Sequence, residues 1–298
     1  FSIMPGEVHA LLGENGAGKS TLVKMIYGVL HADEGTMHFG GAPYAPARPS
    51  EARAHGVGMV FQHFSLFDAL TVADNVALGM NKDAVGTNLD QQIIEVSEAY
   101  GLTLDPTRYI GSLSVGERQR VEIIRCLLQN PRLLIMDEPT SVLTPQEVDI
   151  LFETLRQLSS EGCSILYISH KLDEIRVLCN RATVLRGGKV VGDCDPRQET
   201  AKSLAEMMIG TTLTMAERKQ ADLGEERLHV TRLSAESHDP FGVDLADISF
   251  SVRAGEILGI AGVAGNGQVE LMEALIGEHM TPAGMVSIDG TLVGGLGP

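Results

Sequence analysis

The feature that most constrains this chain is a glycine-rich segment that fits the phosphate-binding pattern G-x-x-x-x-G-K-[ST] at every position. Its residues are Gly13, Glu14, Asn15, Gly16, Ala17, Gly18, Lys19, Ser20 and Thr21. The apolar run 8–12 predicts a strand before it, and residues 21–30 predict a helix after it. Glycines let backbone N–H groups turn toward phosphate oxygens, and the positive end of the helix points to the same place. This context favours nucleotide binding over a glycine-rich turn with a surface lysine.

Two carboxylates follow a second buried strand and complement the phosphate loop. Residues 133–136 are entirely apolar, and Asp137 and Glu138 come directly after them. An open α/β sheet presents its ligand groups at the carboxyl ends of its strands. We expect Asp137 and Ser20 to hold Mg²⁺, and Glu138 to polarise the water that attacks the γ-phosphate. An acidic turn or a helix cap is the simpler explanation for this pair of residues taken alone.

Two further polar residues end predicted strands on either side of this site. Gln62 follows the strand 57–61, and His170 follows the strand 165–168. From these positions Gln62 can contact the metal and the attacking water, and His170 can bind the γ-phosphate. A lone glutamine or histidine is normally structural, so the argument for a function rests on position.

A second anion site is predicted in the segment that precedes the helix from residue 120. Its residues are Leu113, Ser114, Val115, Gly116 and Glu117. Serine and glycine at a helix N-terminus can bind an anion, although an ordinary helix cap explains the pattern equally well. Because one nucleotide does not need two phosphate sites in one domain, this site suggests a nucleotide held by another domain.

Composition limits the function classes. The formal charge of −16 and the lack of a Lys/Arg block argue against nucleic-acid binding. The four cysteines form no C-x-x-C pair, which indicates reduced, packed thiols and a cytosolic compartment. We find no apolar run long enough to span a membrane and no secretory signal.

An internal repeat appears when the sequence is shifted by 249 positions. Without a gap, Gly13, Gly16 and Gly18 then meet Gly262, Gly265 and Gly267. Turn glycines at 6, 28, 35 and 41 also meet glycines at 255, 277, 284 and 290. We therefore expect the chain to enter a second copy of the same fold and to be part of a longer protein.

Together these motifs resemble the ATP-binding domain of ABC transporters. In this reading 13–21 is the Walker A loop, Gln62 the Q-loop and 113–117 the signature. Residues 133–137 are Walker B, Glu138 is the catalytic carboxylate, 141–144 is the D-loop and His170 is the switch histidine. The resemblance implies binding of ATP with Mg²⁺, and a P-loop NTPase core sheet with an antiparallel β subdomain and a helical insertion.

The resemblance also implies an arrangement of domains. We expect a first ABC domain over residues 1–210 with its insertion near 64–130, a linker over 211–227, and the start of a second domain over 228–298. In this family two such domains face each other, and each ATP lies between one Walker A loop and the other domain's signature. The aromatic residue that stacks on adenine would precede Phe1.

The sequence departs from the family pattern at several positions. Val115 and Glu117 replace a glycine and a glutamine of the signature, and a carboxylate near a γ-phosphate is repulsive unless it points away. Thr144 stands where the D-loop normally has aspartate. In the second loop, Gln268 and Val269 replace the lysine and the Ser/Thr, which predicts weak ATP binding and little or no hydrolysis.

The resemblance predicts the ATP-hydrolysing subunit of an importer for nucleosides or simple sugars. Its expected partners are membrane permease subunits, an extracytoplasmic substrate-binding protein and a second ATP-binding domain of the same full-length chain. It would act at the cytoplasmic face of the membrane. Candidate permease contacts after Gln62 are His63, Phe64, Leu66 and Phe67, for which core packing is an equal alternative.

Three other protein classes fit the sequence less well. A soluble ABC-type ATPase without a permease usually has a longer charged linker or a basic surface. ABC proteins of DNA repair insert long coiled coils, and this sequence has no heptad run. A P-loop kinase or GTPase lacks both the 113–117 motif and the fused repeat.

Overall fold

The computed structural model describes residues 1–62, 64–80, 88–212, 222–237, 242–262 and 265–295. It divides the chain into two compact units, Phe1–Thr214 and Met215–Pro298. Most of the predicted linker, residues 213–221, lies outside the described residues. Within the part of the chain that the structure describes, no helix combines the length and the apolar character that a membrane span requires.

The first unit contains eight strands in its described residues. They are β1 (Val8–Leu12), β2 (Met37–Phe39), β3 (Ala42–Tyr44), β4 (Val57–Val60), β5 (Leu133–Asp137), β6 (Ser164–Ile168), β7 (Arg181–Arg186) and β8 (Lys189–Cys194). Six of them form one sheet in the order β4-β5-β6-β1-β7-β8. All neighbours are parallel except β8, which pairs antiparallel with β7 at one edge. The loops after β1, β4, β5 and β6 therefore meet at one edge of the sheet.

Continuous burial explains why the central strands read as apolar runs. Strands β1, β4 and β6 are buried at every position, and β5 is buried up to its final residue, Asp137. Parallel sheets with helices on both faces require such strands. Separate apolar clusters cover the two faces, one around Leu134 and Tyr167 and the other around Leu11 and Ile135.

Eight helices surround this sheet in the described part of the first unit. They are α1 (Lys19–Ile26), α2 (Pro49–Ala54), α3 (Val72–Gly79), α4 (Leu89–Ala99), α5 (Val115–Leu127), α6 (Pro145–Ser160), α7 (Leu172–Leu178) and α8 (Ala201–Ile209). Helices α3, α4 and α5 lie within the predicted helical insertion, whose residues 81–87 are outside the described residues. The α/β class with a parallel core and an antiparallel subdomain is confirmed.

Two local features depart from what sequence pattern alone suggests. Proline usually interrupts a strand, but Pro43 lies inside β3, where it pairs with His38 of β2. This is possible because β2 and β3 form a two-stranded ribbon, so an edge position without an N–H donor is tolerated. Helix α7 was not predicted, because a seven-residue helix offers too short a pattern.

The second unit is an antiparallel sheet with one helix in its described residues. Its elements are β9 (Glu226–Ala235), β10 (Leu245–Arg253), α9 (Gln268–Ile276), β11 (Val286–Ile288) and β12 (Thr291–Leu292). The strand order is β10-β9-β11-β12. A small core, centred on Val230, Leu233 and Leu271, lies between the sheet and the helix.

The two units share backbone geometry at the spacing of the sequence repeat. Helix α9 starts 249 positions after α1, and β11 lies 249 positions after β2. Gly18 and Gly267, which precede the two helices, have φ values of 102° and 95°. Residues 257–261, which correspond to β1, form no strand. Strand β1 is held by pairing on both sides, and the described second unit offers 257–261 no such neighbours.

Candidate nucleotide site

The phosphate loop lies between β1 and α1, as the sequence predicts. Gly13, Gly16 and Gly18 all have positive φ values, a conformation that residues with a Cβ adopt only at a cost. A Cβ at Gly13 would overlap the carbonyl oxygen of Leu185 and crowd Ala17. A Cβ at Gly16 would meet no atom within 4 Å. Gly13 is therefore required by packing as well as by conformation, whereas Gly16 borders open space.

Lys19 is held inside this loop. Its side chain is 7% exposed, and Nζ donates to the carbonyl oxygens of Gly13 at 2.6 Å and Glu14 at 3.0 Å. Burial lowers the pKa of Lys19 from its ordinary value, while the charges of Glu138 and Asp137 act in the opposite direction. Carbonyl oxygens position the ammonium without neutralising it, so it can serve as a charge partner for phosphate.

The two predicted carboxylates occupy the end of β5. Burial, followed by the charge of Glu138, raises the pKa of Asp137 above its ordinary value, although Lys19 opposes this. Glu138 has a φ of 48°, which is uncommon for a residue other than glycine, and its N–H donates to the carbonyl oxygen of Ile168 at 2.9 Å. This bond to β6 holds the turn that presents both side chains.

Gln62 and His170 both contact Glu138. Gln62 Nε2 donates to Glu138 Oε2 at 3.2 Å. Glu138 Oε1 lies 2.8 Å from His170 Nε2. Three residues that follow three neighbouring strands, β4, β5 and β6, thus form one polar cluster at the carboxyl edge of the sheet. A carboxylate held in this way can orient a water molecule, and a neighbouring imidazole can stabilise developing negative charge.

The polar groups at this edge of the sheet fit a nucleoside triphosphate with a divalent cation. The loop offers backbone N–H groups at the start of α1 and a buried ammonium, which suit phosphate. Ser20 is exposed at the first turn of α1, and the Asp137 carboxylate is half-buried at the end of β5. A hydroxyl and one carboxylate, completed by phosphate oxygens and water, are ligands that Mg²⁺ accepts.

The predicted signature residues form a capping box at the start of α5. The Ser114 hydroxyl accepts from the Glu117 N–H at 3.2 Å, and Glu117 Oε2 accepts from the Ser114 N–H at 2.8 Å. Glu117 Oε1 also receives a hydrogen bond from Arg108 at 2.6 Å. Partial burial opposes ionisation of Glu117, but the hydrogen bonds from Ser114 and Arg108 lower its pKa overall. The carboxylate is therefore folded back and paired.

The signature glycine is packed against the helix that follows the D-loop. A Cβ on Gly116 would overlap the side chain of Glu147. Glu147 also accepts from the backbone N–H and the hydroxyl of Thr144, both at 2.9 Å. Thr144, which replaces the expected aspartate, is thus the N-cap of α6. The Glu147 side chain therefore contacts both Thr144, at the end of the D-loop, and Gly116 of the signature.

Arg108 and Glu147 were not identified from the sequence. The spacing Thr144…Glu147 is a capping-box pattern and could have indicated the role of Glu147 at α6. No local pattern links Arg108 to Glu117, because the pair forms across the turn that precedes α5.

The second glycine-rich segment precedes α9 in the second unit. Gly265 and Gly267 have φ values of 85° and 95°, close to those of Gly16 and Gly18. Residues 263–264 of this loop lie outside the described residues. Gln268 occupies the position of the lysine, and the exposed Val269 occupies that of the hydroxyl.

A separate cleft of about 260 Å³ lies between the sheet and the helical insertion. Its wall includes Phe61, Leu78, Arg53 and Arg125. Arg125 is paired with Glu122, whereas Arg53 Nε is buried without a hydrogen-bond partner. A buried donor of this kind favours a ligand that carries an acceptor.

The candidate contact residues after Gln62 separate into two groups. Leu66 packs against the core, and Phe64 is half-buried, as core packing predicts. Phe67 is 61% exposed, which leaves it accessible to a partner. His63 lies outside the described residues.

Comparisons with known proteins agree with this geometry. The model of the ABC transporter family, described as "ABC transporter", matches residues 1–141. The nucleoside import ATP-binding protein NupA of Lactococcus lactis is 43% identical over 294 residues, which cover 97% of this chain and 58% of that protein. The ribose import ATP-binding protein RbsA of Geobacillus kaustophilus is 38% identical over 297 residues, covering 97% and 59%. The chain thus spans less than two thirds of the length of these relatives.

Solved structures show the same fold. One is a dimeric post-hydrolysis state of the ATP-binding cassette MJ0796 bound to ADP and Pi. It superposes with a TM-score of 0.58 at 25% identity and covers 67% of this chain and 89% of that chain.

Proposed function

We propose that this chain, whose residues 1–141 match the ABC transporter family model, binds and hydrolyses ATP to power an importer. The observation that carries this proposal is the cluster of Gln62, Glu138 and His170 beside a phosphate loop with a buried lysine. The printed names of the relatives refer to import of a nucleoside and of ribose. The cargo class proposed here is therefore nucleosides or simple sugars.

In this mechanism the loop 13–21 binds the phosphates of ATP. Backbone N–H groups surround the phosphate oxygens, and Lys19 neutralises charge on the β- and γ-phosphates. Ser20 and Asp137, with Gln62, would hold Mg²⁺, which neutralises phosphate charge and orients the γ-phosphate when bound. None of the residues proposed here to bind ATP is an aromatic residue that could stack on the adenine base.

Glu138 is the proposed catalytic carboxylate. It holds the attacking water and accepts its proton as the water oxygen bonds to phosphorus and the bond to the leaving phosphate breaks. Gln62, bonded to Glu138 Oε2, fixes the second side of that water. His170, beside Glu138 Oε1, donates toward the γ-phosphate and stabilises the charge of the transition state.

The signature 113–117 is proposed to complete a nucleotide site with a partner ATP-binding domain. The N–H groups of Val115 and Gly116 have no acceptor within α5, so they can serve a phosphate held elsewhere. Dimeric packing of cassettes is described for the MJ0796 structure. The second glycine-rich loop, with Gln268 in place of lysine, is proposed to bind ATP weakly and to hydrolyse it poorly or not at all.

The cleft beside Gln62 is the proposed docking site for the permease. Phe61, Leu78 and exposed Phe67 offer apolar contacts, and Arg53 offers an unused donor. A short helix with apolar side chains and one acidic or carbonyl acceptor fits this combination. The protein would then work at the cytoplasmic face of the membrane, with an extracytoplasmic protein delivering the cargo.

Purification of the full-length protein from membranes tests this proposal. We expect it to co-purify with permease subunits and to show Mg²⁺-dependent ATPase activity that rises when cargo-loaded binding protein is added. An Arg53→Glu variant should keep its ATPase activity in detergent-free solution and lose the permease. Co-purification with ribosomes or nucleic acid instead of a permease would reject the importer.

A further inference from the structure

Glu174 is a largely buried acid that the mechanism above does not use. It lies on α7, behind the loop that carries His170, and its side chain is only 13% exposed. A carboxylate in such a position is costly unless its oxygens receive hydrogen bonds. Those bonds come from the loop after β5, from β6 and from the loop after β6, the segments that carry Glu138 and His170.

Three hydroxyl groups converge on one oxygen of this carboxylate, and the most distant of them is that of Ser169 at 3.4 Å. Glu174 Oε2 accepts from the Thr140 hydroxyl at 2.7 Å and from the Tyr167 hydroxyl at 3.0 Å. Burial, and then the charge of Glu174, raises the pKa of Tyr167, so its phenol stays protonated and remains a donor. Thr140 and Tyr167 are themselves almost completely buried, at 2% and 0% exposed.

A lysine closes the arrangement from the other side. Lys171 Nζ lies 3.2 Å from Glu174 Oε1 and donates to the Thr140 carbonyl oxygen at 2.8 Å. The Lys171 N–H also donates to the Ser169 hydroxyl at 3.0 Å. Lys171 and Ser169 flank His170, so the carboxylate is tied to the loop after β6 at the catalytic histidine.

Thr140 ties the same carboxylate to the loop after β5. It stands two residues after Glu138, immediately before the D-loop. One side chain on α7 therefore holds the two loops whose catalytic residues, Glu138 and His170, lie 2.8 Å apart. The loop after β5 is also joined to β6 and the loop after it by the Lys171–Thr140 bond and by the backbone bond from Glu138 to Ile168.

A role in the helix dipole is the simpler explanation for an acid at this position, because Glu174 lies in the first turn of α7. Asp173, in the same first turn, separates the two explanations. Its side chain is 86% exposed, and its described partner is Arg176 of the same helix. Asp173 can serve the dipole equally well but has no described contact with either loop.

We propose that Glu174 is a positioning residue for ATP hydrolysis: through Thr140, Tyr167 and Lys171 it links the loop after β5 to the loop after β6 and sets the distance between Glu138 and His170. This proposal rests on the proposed ATPase function. Displacement of a catalytic group by about 1 Å can reduce a rate about a hundredfold. Loss of the link should thus affect turnover far more than binding, because the phosphate loop does not depend on it.

The test compares ATP hydrolysis by the full-length protein with that of three variants. Glu174→Ala should lower kcat by about tenfold or more while changing KM by less than about twofold. Asp173→Ala controls for the helix dipole and should keep the kcat of the unchanged protein. Glu161→Ala removes another glutamate that accepts from a tyrosine, Tyr100, at 2.6 Å, but far from the cluster, and should also keep it.

A second measurement separates positioning from loss of folding. Thr140→Val and Glu174→Gln each remove part of the link and preserve shape, and their effects on kcat should be less than additive when combined. Additive effects, an unchanged kcat in Glu174→Ala, or an equal loss in Asp173→Ala would overturn the proposal. So would a Glu174→Ala loss that disappears when only folded protein is counted. Absence of hydrolysis in the unchanged protein would overturn the proposed function itself, and this inference with it.

Discussion

Glu138 Oε1 lies 2.8 Å from His170 Nε2, although the two residues belong to loops that follow different strands. Parallel pairing of β5 and β6 brings the loops together, with Asp137 opposite Ile168 in register. The contact arises from sheet topology. It places the residue proposed to hold the attacking water beside the residue proposed to bind the γ-phosphate.

Glu138→Gln should separate ATP binding from turnover. Glutamine keeps the size of the side chain but cannot accept a proton, and loss of a general base typically lowers a rate about 10²- to 10⁴-fold. ATP affinity, measured by equilibrium binding with a fluorescent analogue, should stay within about threefold of the unchanged protein. Normal steady-state turnover in this variant would reject Glu138 as the catalytic carboxylate.

Lys19→Ala should weaken ATP binding itself. The buried ammonium is the charged group of the loop, and a hydrogen bond to a charged group is worth about 1.5–3 kcal/mol, which corresponds to roughly a 10- to 100-fold loss of affinity. Lys24→Ala is a matched control, because Lys24 is exposed near the last turn of the same helix. Titration calorimetry should show nearly unchanged affinity for the control; equal losses would indicate a general charge effect.

Gly13→Ala and Gly16→Ala should differ, although both glycines belong to the same motif. The first change creates overlap with Leu185 and Ala17, whereas the second adds a methyl group to open space and carries backbone strain of about 1–2 kcal/mol. Urea unfolding of the chain should therefore show a clearly larger loss of stability for Gly13→Ala. Equal losses would mean that backbone conformation alone requires these glycines.

The Arg108–Glu117 pair predicts a rescue. Arg108→Ala leaves the Glu117 carboxylate held only by Ser114, and its unpaired charge would repel phosphate. Because the pair is partly exposed and such pairs are worth at most about 1 kcal/mol, we expect turnover to fall by about two- to fivefold. Adding Glu117→Gln removes the negative charge and should restore turnover. If the double variant remains as slow as Arg108→Ala, the arginine acts through its other bond, to the Ser112 carbonyl oxygen.

His9 should make stability depend on pH. It is fully buried on β1, where it bonds to Glu7 at 2.7 Å and to Thr183 at 2.8 Å. Burial lowers its pKa from 6.5, although Glu7 and Asp193 oppose this and Arg181 adds to it. The unfolded chain therefore binds a proton more readily, so His9's contribution is fully present above pH 6.5 and declines as the pH falls below it.

The measurement for His9 is urea unfolding at pH 7.5 and pH 5.5. His9→Gln should reduce the difference in the free energy of unfolding between the two values. His38→Gln, at an exposed position of β2, serves as the control and should leave that difference unchanged. A pH dependence that is the same in all three proteins would assign the effect to other groups.

The parts of the site that could be predicted from sequence share one property: their geometry is set locally or by strand ends. The loop 13–21 follows from its glycines, and Glu138 and His170 follow from the rule that parallel strands end at one edge. The repeat could be predicted because positive φ values at Gly265 and Gly267 demand glycine as they do at Gly16 and Gly18.

The remaining features depend on contacts between segments that are distant in sequence. Nothing near Glu174 indicates that Thr140 and Tyr167 bind it, and Arg108 reaches Glu117 only because the turn before α5 folds back. The failure of 257–261 to form a strand has the same origin, because a central strand needs neighbours on both sides. Tertiary context decides such features, and local propensity does not.

The contact between Gly116 and Glu147 changes how a mutant at the signature should be interpreted. Any side chain at position 116 would push against Glu147, the capping-box partner of Thr144, and so displace the end of the D-loop of its own domain. A genetic screen would assign such a mutant a defect in binding the partner domain's nucleotide, although the displaced segment is the D-loop of the same domain. Suppressor mutations of a Gly116 variant should therefore replace Glu147 with a smaller residue, rather than change the surface of a partner.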